Sequence, residues 1–372
     1  MRIVDVTMFY APASGGVRTY LEAKPRWLAR YPSLDHRLLV PGERRGCSEG
    51  LCTLPAPRLP FGHGYRFPLR RGPWLSALER LQPDVIEAED PYLPAWAALD
   101  AGARLGVPVV GYYHSDLPRL AGSRLGPWSN RLLDTYVARL YRRFDRVLAP
   151  SEVMAAKLRR LGVERVFVQP LGVDTRLFHP GLRDPAVRAG LGLNDTTRFL
   201  IFAGRGSREK HIPLLLEVME CLGEGYHLHL AGSGMPRRLP PNVSRSTGFV
   251  QSDQVARLLA SSDALLHAGD RETFGLVVLE AMACGIPVVG VRAGAVSELV
   301  VPGTGLLAEP GRAESLARAV RGLFADGFRE MGRIARRHVV AHYGWDRVLP
   351  RLLGHYTQLT GAHTHGPRAA HG

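Results

Sequence analysis

The sequence predicts an α/β protein made of two similar parallel-sheet halves, and three observations carry that prediction. Short apolar runs alternate with segments of helical length from Arg2 to Ala149. The alternation breaks near Val168-Gln169-Pro170, where Pro170, Pro180, Gly181 and Pro185 crowd into 170–185. It then resumes from Phe199 to Ala325. Strand–helix alternation argues for parallel sheets covered by helices. Two such halves joined by a linker form two Rossmann-like domains facing a central cleft, with ligands at the carboxyl ends of the strands. At 372 residues the chain suits two domains of ordinary size better than one.

The elements of the first half follow in order. Arg2–Thr7 reads as a strand and Val17–Arg30 as a helix, with Val17, Tyr20, Leu21, Trp27 and Leu28 on its apolar positions. His36–Val40 is a second strand. Residues 41–72, rich in Gly, Pro and Arg, read as an irregular excursion. Asp84–Glu87 and Val109–Gly111 begin strands just after Pro83 and Pro108. Ser129–Phe144 is a helix, and Arg146–Ala149 a strand. The second half predicts strands at Phe199–Gly204, His227–Ala231, Ala264–His267 and Val288–Val291. Its helices are His211–Leu222, Ser252–Ala260, about Gly275–Met282 and Ala313–Ala325. A last helix is expected over about Trp345–Leu359. The predicted division is 1–175, 176–345, a helix over 346–360, and a tail 361–372 without regular structure, whose histidines give no convincing metal site.

Composition excludes several classes. No run of about 18 uncharged apolar residues is present, so no spanning helix is expected. Met1–Val6 reads as a strand rather than a signal peptide, since Asp5 breaks its apolar run. Cys47, Cys52, Cys221 and Cys284 show no metal spacing, and are expected to be reduced in a cytoplasmic protein. The formal charge of +14 divides as +9 in residues 1–180 and +5 beyond. Pairs at Arg44-Arg45, Arg70-Arg71, Arg142-Arg143 and Arg159-Arg160 favour anionic partners, including a membrane surface. Charge alone suggests nucleic acid, but no RNA-binding or helix-turn-helix signature accompanies it.

The most informative stretch is Arg271–Val289. Glu272 lies in a loop, Gly275 where a helix would begin, and Glu280 about one and a half turns further on by the ~3.6-residue period. Carboxylates accept hydrogen bonds from hydroxyls, and a helix N-terminus attracts phosphate. A ligand with hydroxyls at two ends and negative charge between them, such as a nucleotide-sugar, fits that arrangement.

The pattern E-x-F-G-x-x-x-x-E-A-M-A-C-G-x-P-V-V over 272–289 resembles the signature of the retaining glycosyltransferases of family 4, which have the GT-B fold. Ala203-Gly204-Arg205-Gly206-Ser207-Arg208-Glu209-Lys210 is similar to the family's diphosphate-binding segment and implies that role for Arg205 and Lys210. Where the family often has Lys-Gly, this chain has Lys210-His211. The resemblance also implies that Glu272 binds sugar hydroxyls and Glu280 the ribose, while Phe274, Gly275 and Leu276 bring the helix start to the donor. His114 matches a strand-end histidine that contacts the donor sugar. Gly15 and Gly16 match a glycine loop against the donor phosphate or acceptor, and Gly232 a loop beside the base. Gly294–Glu298 is similar to a G-G-x-x-E turn, with Ala295 in place of the second glycine.

Catalytic roles thus fall on His114, Arg205, Lys210 and Glu272. The implied activity is transfer of a hexose from GDP-mannose or a UDP-hexose to a lipid or glycan hydroxyl, with retention. No Asp-x-Asp motif is present and no metal or cofactor is expected. Glu87 and Asp90, at another strand end, are candidates to orient the acceptor. The implied location is cytoplasmic, peripheral on the inner face of the membrane. The competing reading is a non-catalytic nucleotide-sugar-binding protein of the same fold.

Overall fold

The computed structural model describes residues 1–10, 15–58, 64–118, 126 and 128–361. The chain divides into two units. One holds residues 1–170 together with 348–372, the other 171–347.

The first unit is built on one sheet of β1 (Arg2–Val6), β2 (Asp35–Gly42), β3 (Gly46–Ser48), β4 (Leu51–Pro55), β5 (Val85–Ala88), β6 (Val109–Tyr112), β7 (Arg146–Ala149) and β8 (Val166–Val168). Their order is β3-β4-β2-β1-β5-β6-β7-β8. All neighbours are parallel except β3 and β4. β1, β5 and β6 sit inside the sheet with helices on its faces, which is why they are almost continuously buried. Val4, Ile86, Val147, Leu78, Ala98 and Leu140 join strands and helices in one core. Helices occupy Gly16–Leu28, Gly72–Leu81, Leu93–Leu105, Trp128–Tyr141 and Glu152–Arg160. Ser151 caps the last of these by accepting the amide of Met154 at 3.4 Å.

Two expectations change here. Residues 41–72 are not wholly irregular, because β3 and β4 fold from them as a hairpin and β4 extends the sheet beside β2. Cys47 faces Cys52 across that hairpin and the two form a disulfide. The reading of four reduced thiols is thereby corrected: direct cross-strand pairing brings these two together, which spacing along the chain did not reveal. Cys221 is free and exposed, and Cys284 is free and buried.

The second unit carries a six-stranded parallel sheet in the order β11-β10-β9-β12-β13-β14. Its strands are β9 (Arg198–Ala203), β10 (Tyr226–Ala231), β11 (Val243–Arg245), β12 (Ala264–Leu266), β13 (Val288–Val291) and β14 (Gly305–Ala308). Helices Ile212–Leu222, Ser252–Ser261, Leu276–Ala283, Ala313–Ala325 and Phe328–His342 flank it. Leu200, Leu215, Leu230, Leu266, Val289 and Val320 form its core.

The expected linker belongs to this unit. Arg336 donates to the carbonyls of Thr175, Phe178 and Ala283, pinning 175–178 against the helix Leu276–Ala283. The division therefore falls after Pro170, not after residue 175. Helix Trp345–Thr360 begins in the second unit and runs on into the first. There the Tyr356 hydroxyl donates to Glu87 at 2.6 Å, and Arg146 donates to Gln358 at 2.8 Å. The tail histidines lie outside the described residues. Among the described residues no helix is long and apolar enough to cross a membrane.

Candidate active site

In the second unit three strand ends gather the predicted donor residues. β9 ends at Ala203 and leads into the glycine loop 204–206, which lies against the glycine loop after β10. Gly206 donates its amide to the Ser233 carbonyl at 2.8 Å. A Cβ on Gly232 would stand 2.0 Å from the Gly204 carbonyl oxygen, and Gly232 has φ +138°. Only glycine allows these two loops to close so tightly. Arg205, at the tip, is exposed and has no side-chain partner among the described residues.

Lys210 ends a short turn, Arg208–Lys210, and its Nζ donates to Oε1 of Glu272. His211 follows with φ +51°, a left-handed conformation at the entry to helix Ile212–Leu222. That geometry explains the departure from Lys-Gly, since glycine enters the region freely. Histidine enters it here while Nε2 contacts Asp270 Oδ1 at 2.9 Å.

Glu272 stands in the loop after β12. His267, buried at the end of that strand, places Nε2 3.1 Å from the same Glu272 oxygen that Lys210 meets. Burial raises the Glu272 carboxyl, but the Lys210 ammonium and His267 outweigh it and hold it far below the usual range. Sequence reasoning did not assign His267. The signal was its place directly after a strand and five residues before Glu272. Ala295 is buried and donates its amide to the Glu272 carbonyl at 3.0 Å, so the turn holds the loop with an alanine in place of the second glycine.

Gly275, with φ +96°, caps helix Leu276–Ala283. The amides of the first turn of a helix lack intrahelical acceptors and face outward as donors. Phe274 is buried, so its backbone rather than its ring is available to a ligand. Glu280 is half-buried on this helix and makes no side-chain hydrogen bond or ion pair among the described residues. Burial pushes its carboxyl up to about 7.

The first unit holds the remaining predicted residues. Gly15 caps helix Gly16–Leu28 and lies in open space, while Ala13 and Ser14 of that loop lie outside the described residues. His114, just past β6, is buried and stacks on Tyr112 with ring centroids 3.9 Å apart. Its Nε2 meets Glu89 Oε2 at 2.6 Å. Burial, helped by the Lys24 charge, lowers the imidazole to about 3 and keeps it neutral. Glu87 and Asp90 do not present their carboxylates to an acceptor. Glu87 takes Lys24, Tyr20 and Tyr356, and Asp90 is turned inward onto Thr7 and Met8. Each is 2% exposed or less, so both carboxylates face the interior rather than an acceptor.

Two family models match the chain. One described as Glycosyl transferases group 1 covers residues 184–338, and one described as Glycosyltransferase Family 4 covers 14–177. The chain is 34% identical over 374 residues, 95% of each sequence, to a GDP-mannose-dependent alpha-(1-6)-phosphatidylinositol dimannoside mannosyltransferase of Mycobacterium tuberculosis. It belongs to the family 4 glycosyltransferases. A GDP-mannose-dependent alpha-mannosyltransferase of Mycobacterium tuberculosis is 35% identical over 295 residues, 78% of this chain and 77% of that one. The fold is GT-B. Sucrose-phosphate synthase from Thermosynechococcus elongatus superposes on this family 4 chain with a TM-score of 0.80 at 21% identity, over 97% of this chain and 100% of that one.

Proposed function

We propose that this glycosyltransferase moves mannose from GDP-mannose to a hydroxyl of a lipid acceptor, with retention of anomeric configuration. The donor and acceptor classes are supported by the mannosyltransferase to which the chain is 34% identical over 95% of its length. The observation that carries the reading is the meeting of Lys210, His267 and Glu272 beside a helix that opens on a left-handed glycine.

The geometry suits the chemistry. Arg205 and Lys210 supply fixed positive charge where the leaving diphosphate develops negative charge, the largest electrostatic demand of the reaction. The helix start at Gly275 adds oriented amides. Glu272, held ionised, accepts hydrogen bonds from sugar hydroxyls. Glu280, without a protein partner, takes the ribose hydroxyls. His114, neutral, contacts the transferred sugar. The leaving phosphate oxygen takes the acceptor proton on the face it vacates, so no enzyme carboxylate forms a bond to the sugar. In this reading the protein's own cations do the work for which other transferases use a metal ion. The basic first 180 residues fit peripheral attachment to the inner face of the membrane.

The test is incubation with GDP-mannose, GDP-glucose, UDP-glucose and UDP-galactose, following thermal stabilisation and then product. Stabilisation by GDP-mannose, lost in Lys210→Ala and Glu280→Ala, with an α-mannoside as product, is the expected result. Stabilisation without turnover on any lipid or glycan acceptor would identify a binding protein instead. Attachment is checked with anionic liposomes: binding at low salt that is lost at high salt supports it, and no binding at low salt removes it.

A further inference from the structure

The buried centre of the first unit holds more carboxyl groups than cations. Asp5, Glu87 and Glu89 place oxygens within 4.8 Å of one another, and none has exposed surface. An ammonium group stands against two of them. Lys24 Nζ lies 2.7 Å from Asp5 and 2.9 Å from Glu87, and is itself fully buried. Asp5 also meets His36 Nε2 at 2.8 Å. Glu87 accepts three hydrogen bonds: Oε1 takes Lys24 and the Tyr20 hydroxyl, while Oε2 takes the Tyr356 hydroxyl and keeps room for one more donor.

Glu89 differs from both. No lysine or arginine pairs with it among the described residues. Its Oε2 meets His114 at 2.6 Å, and its buried Oε1, beside Glu87, has no hydrogen-bond donor among the described residues. An ionised Glu89 would be a third buried negative charge around one ammonium, with an oxygen left unsatisfied, and both features are costly. A proton on Oε1 removes the two problems together. It cancels the charge and gives Oε1 a hydrogen to donate to Glu87, leaving Oε2 to accept the Nε2–H of His114.

We infer that Glu89 is a positioning residue that works as a neutral acid, fixing His114 in the tautomer that carries its proton on Nε2. The functional half of this inference rests on the proposed role of His114 at the transferred sugar. The structural half does not. Burial, with Glu87 and Asp5 adding to it, pushes the Glu89 carboxyl well above its usual range, in agreement with the geometry. The groups facing it are Asp5 from β1, Lys24 and Tyr20 from helix Gly16–Leu28, Glu87 from β5, Tyr112 from β6 with His114 just after it, Tyr141 from helix Trp128–Tyr141 and Tyr356 from the last helix. His36 from β2 acts on it through Asp5.

The experiment compares Glu89→Gln and Glu89→Ala with the unmodified full chain, in melting temperature from pH 5 to 8 and in kcat and KM. A glutamine reproduces a neutral acid: its amide N–H donates to Glu87 and its carbonyl accepts from His114. The folded wild type holds a proton that the unfolded chain releases, so raising the pH penalises wild type and not the glutamine variant. The expected result is a melting temperature of Glu89→Gln that gains on wild type as pH rises. Glutamine also rescues what alanine loses: kcat within about twofold of wild type, against a fall of about ten- to a hundredfold in Glu89→Ala with KM changed less. A glutamine variant that melts lower than wild type by the same margin at every pH, with kcat as low as in alanine, would show an ionised Glu89 and overturn the inference. A Glu89→Ala chain that fails to fold leaves the glutamine comparison to decide. His114→Ala with unimpaired kcat would remove the role of His114, and positioning with it, while the melting curves would still report the proton on Glu89.

Discussion

Lys210 and Glu272, 62 residues apart in sequence, meet as an ion pair at the ends of β9 and β12. The cation expected to hold a diphosphate and the carboxylate expected to hold a sugar are thus each other's partner. Lys210→Ala removes one side of that pair and leaves Glu272 with His267. The expected outcome is a fall in kcat of about a hundred- to a thousandfold, measured with saturating donor, as for loss of a group that stabilises developing charge. GDP affinity by calorimetry should fall with it.

Glu280 sets a pH dependence. In the proposed role Glu280 accepts from two ribose hydroxyls as an ionised group, and protonation below about 7 removes part of that capacity. Donor affinity is expected to weaken as pH falls from 8 to 6, and Glu280→Gln to bind more weakly with a flat profile. Stability runs the other way. A carboxyl raised by folding contributes stability that is fully present below its unfolded value and lost as pH rises through about 7. Glu280→Gln should therefore gain in melting temperature relative to wild type at pH 8, with the gain shrinking toward pH 5.

The glycine geometry gives a stability prediction. Gly275→Ala forces a side chain into a left-handed conformation, which costs about 1–2 kcal/mol. Gly232→Ala adds a collision with the Gly204 carbonyl to a similar backbone penalty. Denaturant unfolding should rank Gly232→Ala as the more destabilised, with donor binding impaired in both.

His211 supplies the converse. His211→Gly relieves a left-handed residue but loses the contact to Asp270, so the two effects oppose and the net change is expected to stay within about 1 kcal/mol. His211→Val keeps the strain and loses the contact, and should be the less stable variant in the same unfolding assay.

Lys24→Met tests the buried cation. It strands Asp5 and Glu87 without their shared ammonium, and removing one partner from a buried ion pair costs roughly 3–5 kcal/mol. A melting temperature close to that of wild type would contradict this account of the network.

Strands β1, β9 and β13 and the helices Ile212–Leu222 and Ala313–Ala325 were legible because continuous apolar runs and helical periodicity follow directly from two-sided and one-sided burial. The hairpin β3–β4 was not, since its exposed edge strand carries no apolar alternation. Among site residues, Lys210 and Glu272 stood out from motif spacing, but their pairing did not. It depends on β9 and β12 lying side by side in the sheet. Lys24 was the hardest to read. One lysine on a helix resembles any solvated lysine until the fold closes two carboxylates onto it.

The helix Trp345–Thr360 has a consequence for biosynthesis. Tyr356 donates a hydrogen bond to Glu87 in the interior of a unit whose other residues, 1–170, are made first. As the chain leaves the ribosome, that interior lacks one of its donors while the whole of 171–347 is being synthesised. The unit translated second thus has all its residues before the unit translated first, and a ribosome stalled before residue 356 would hold a chain in which Glu87 still lacks the Tyr356 hydroxyl.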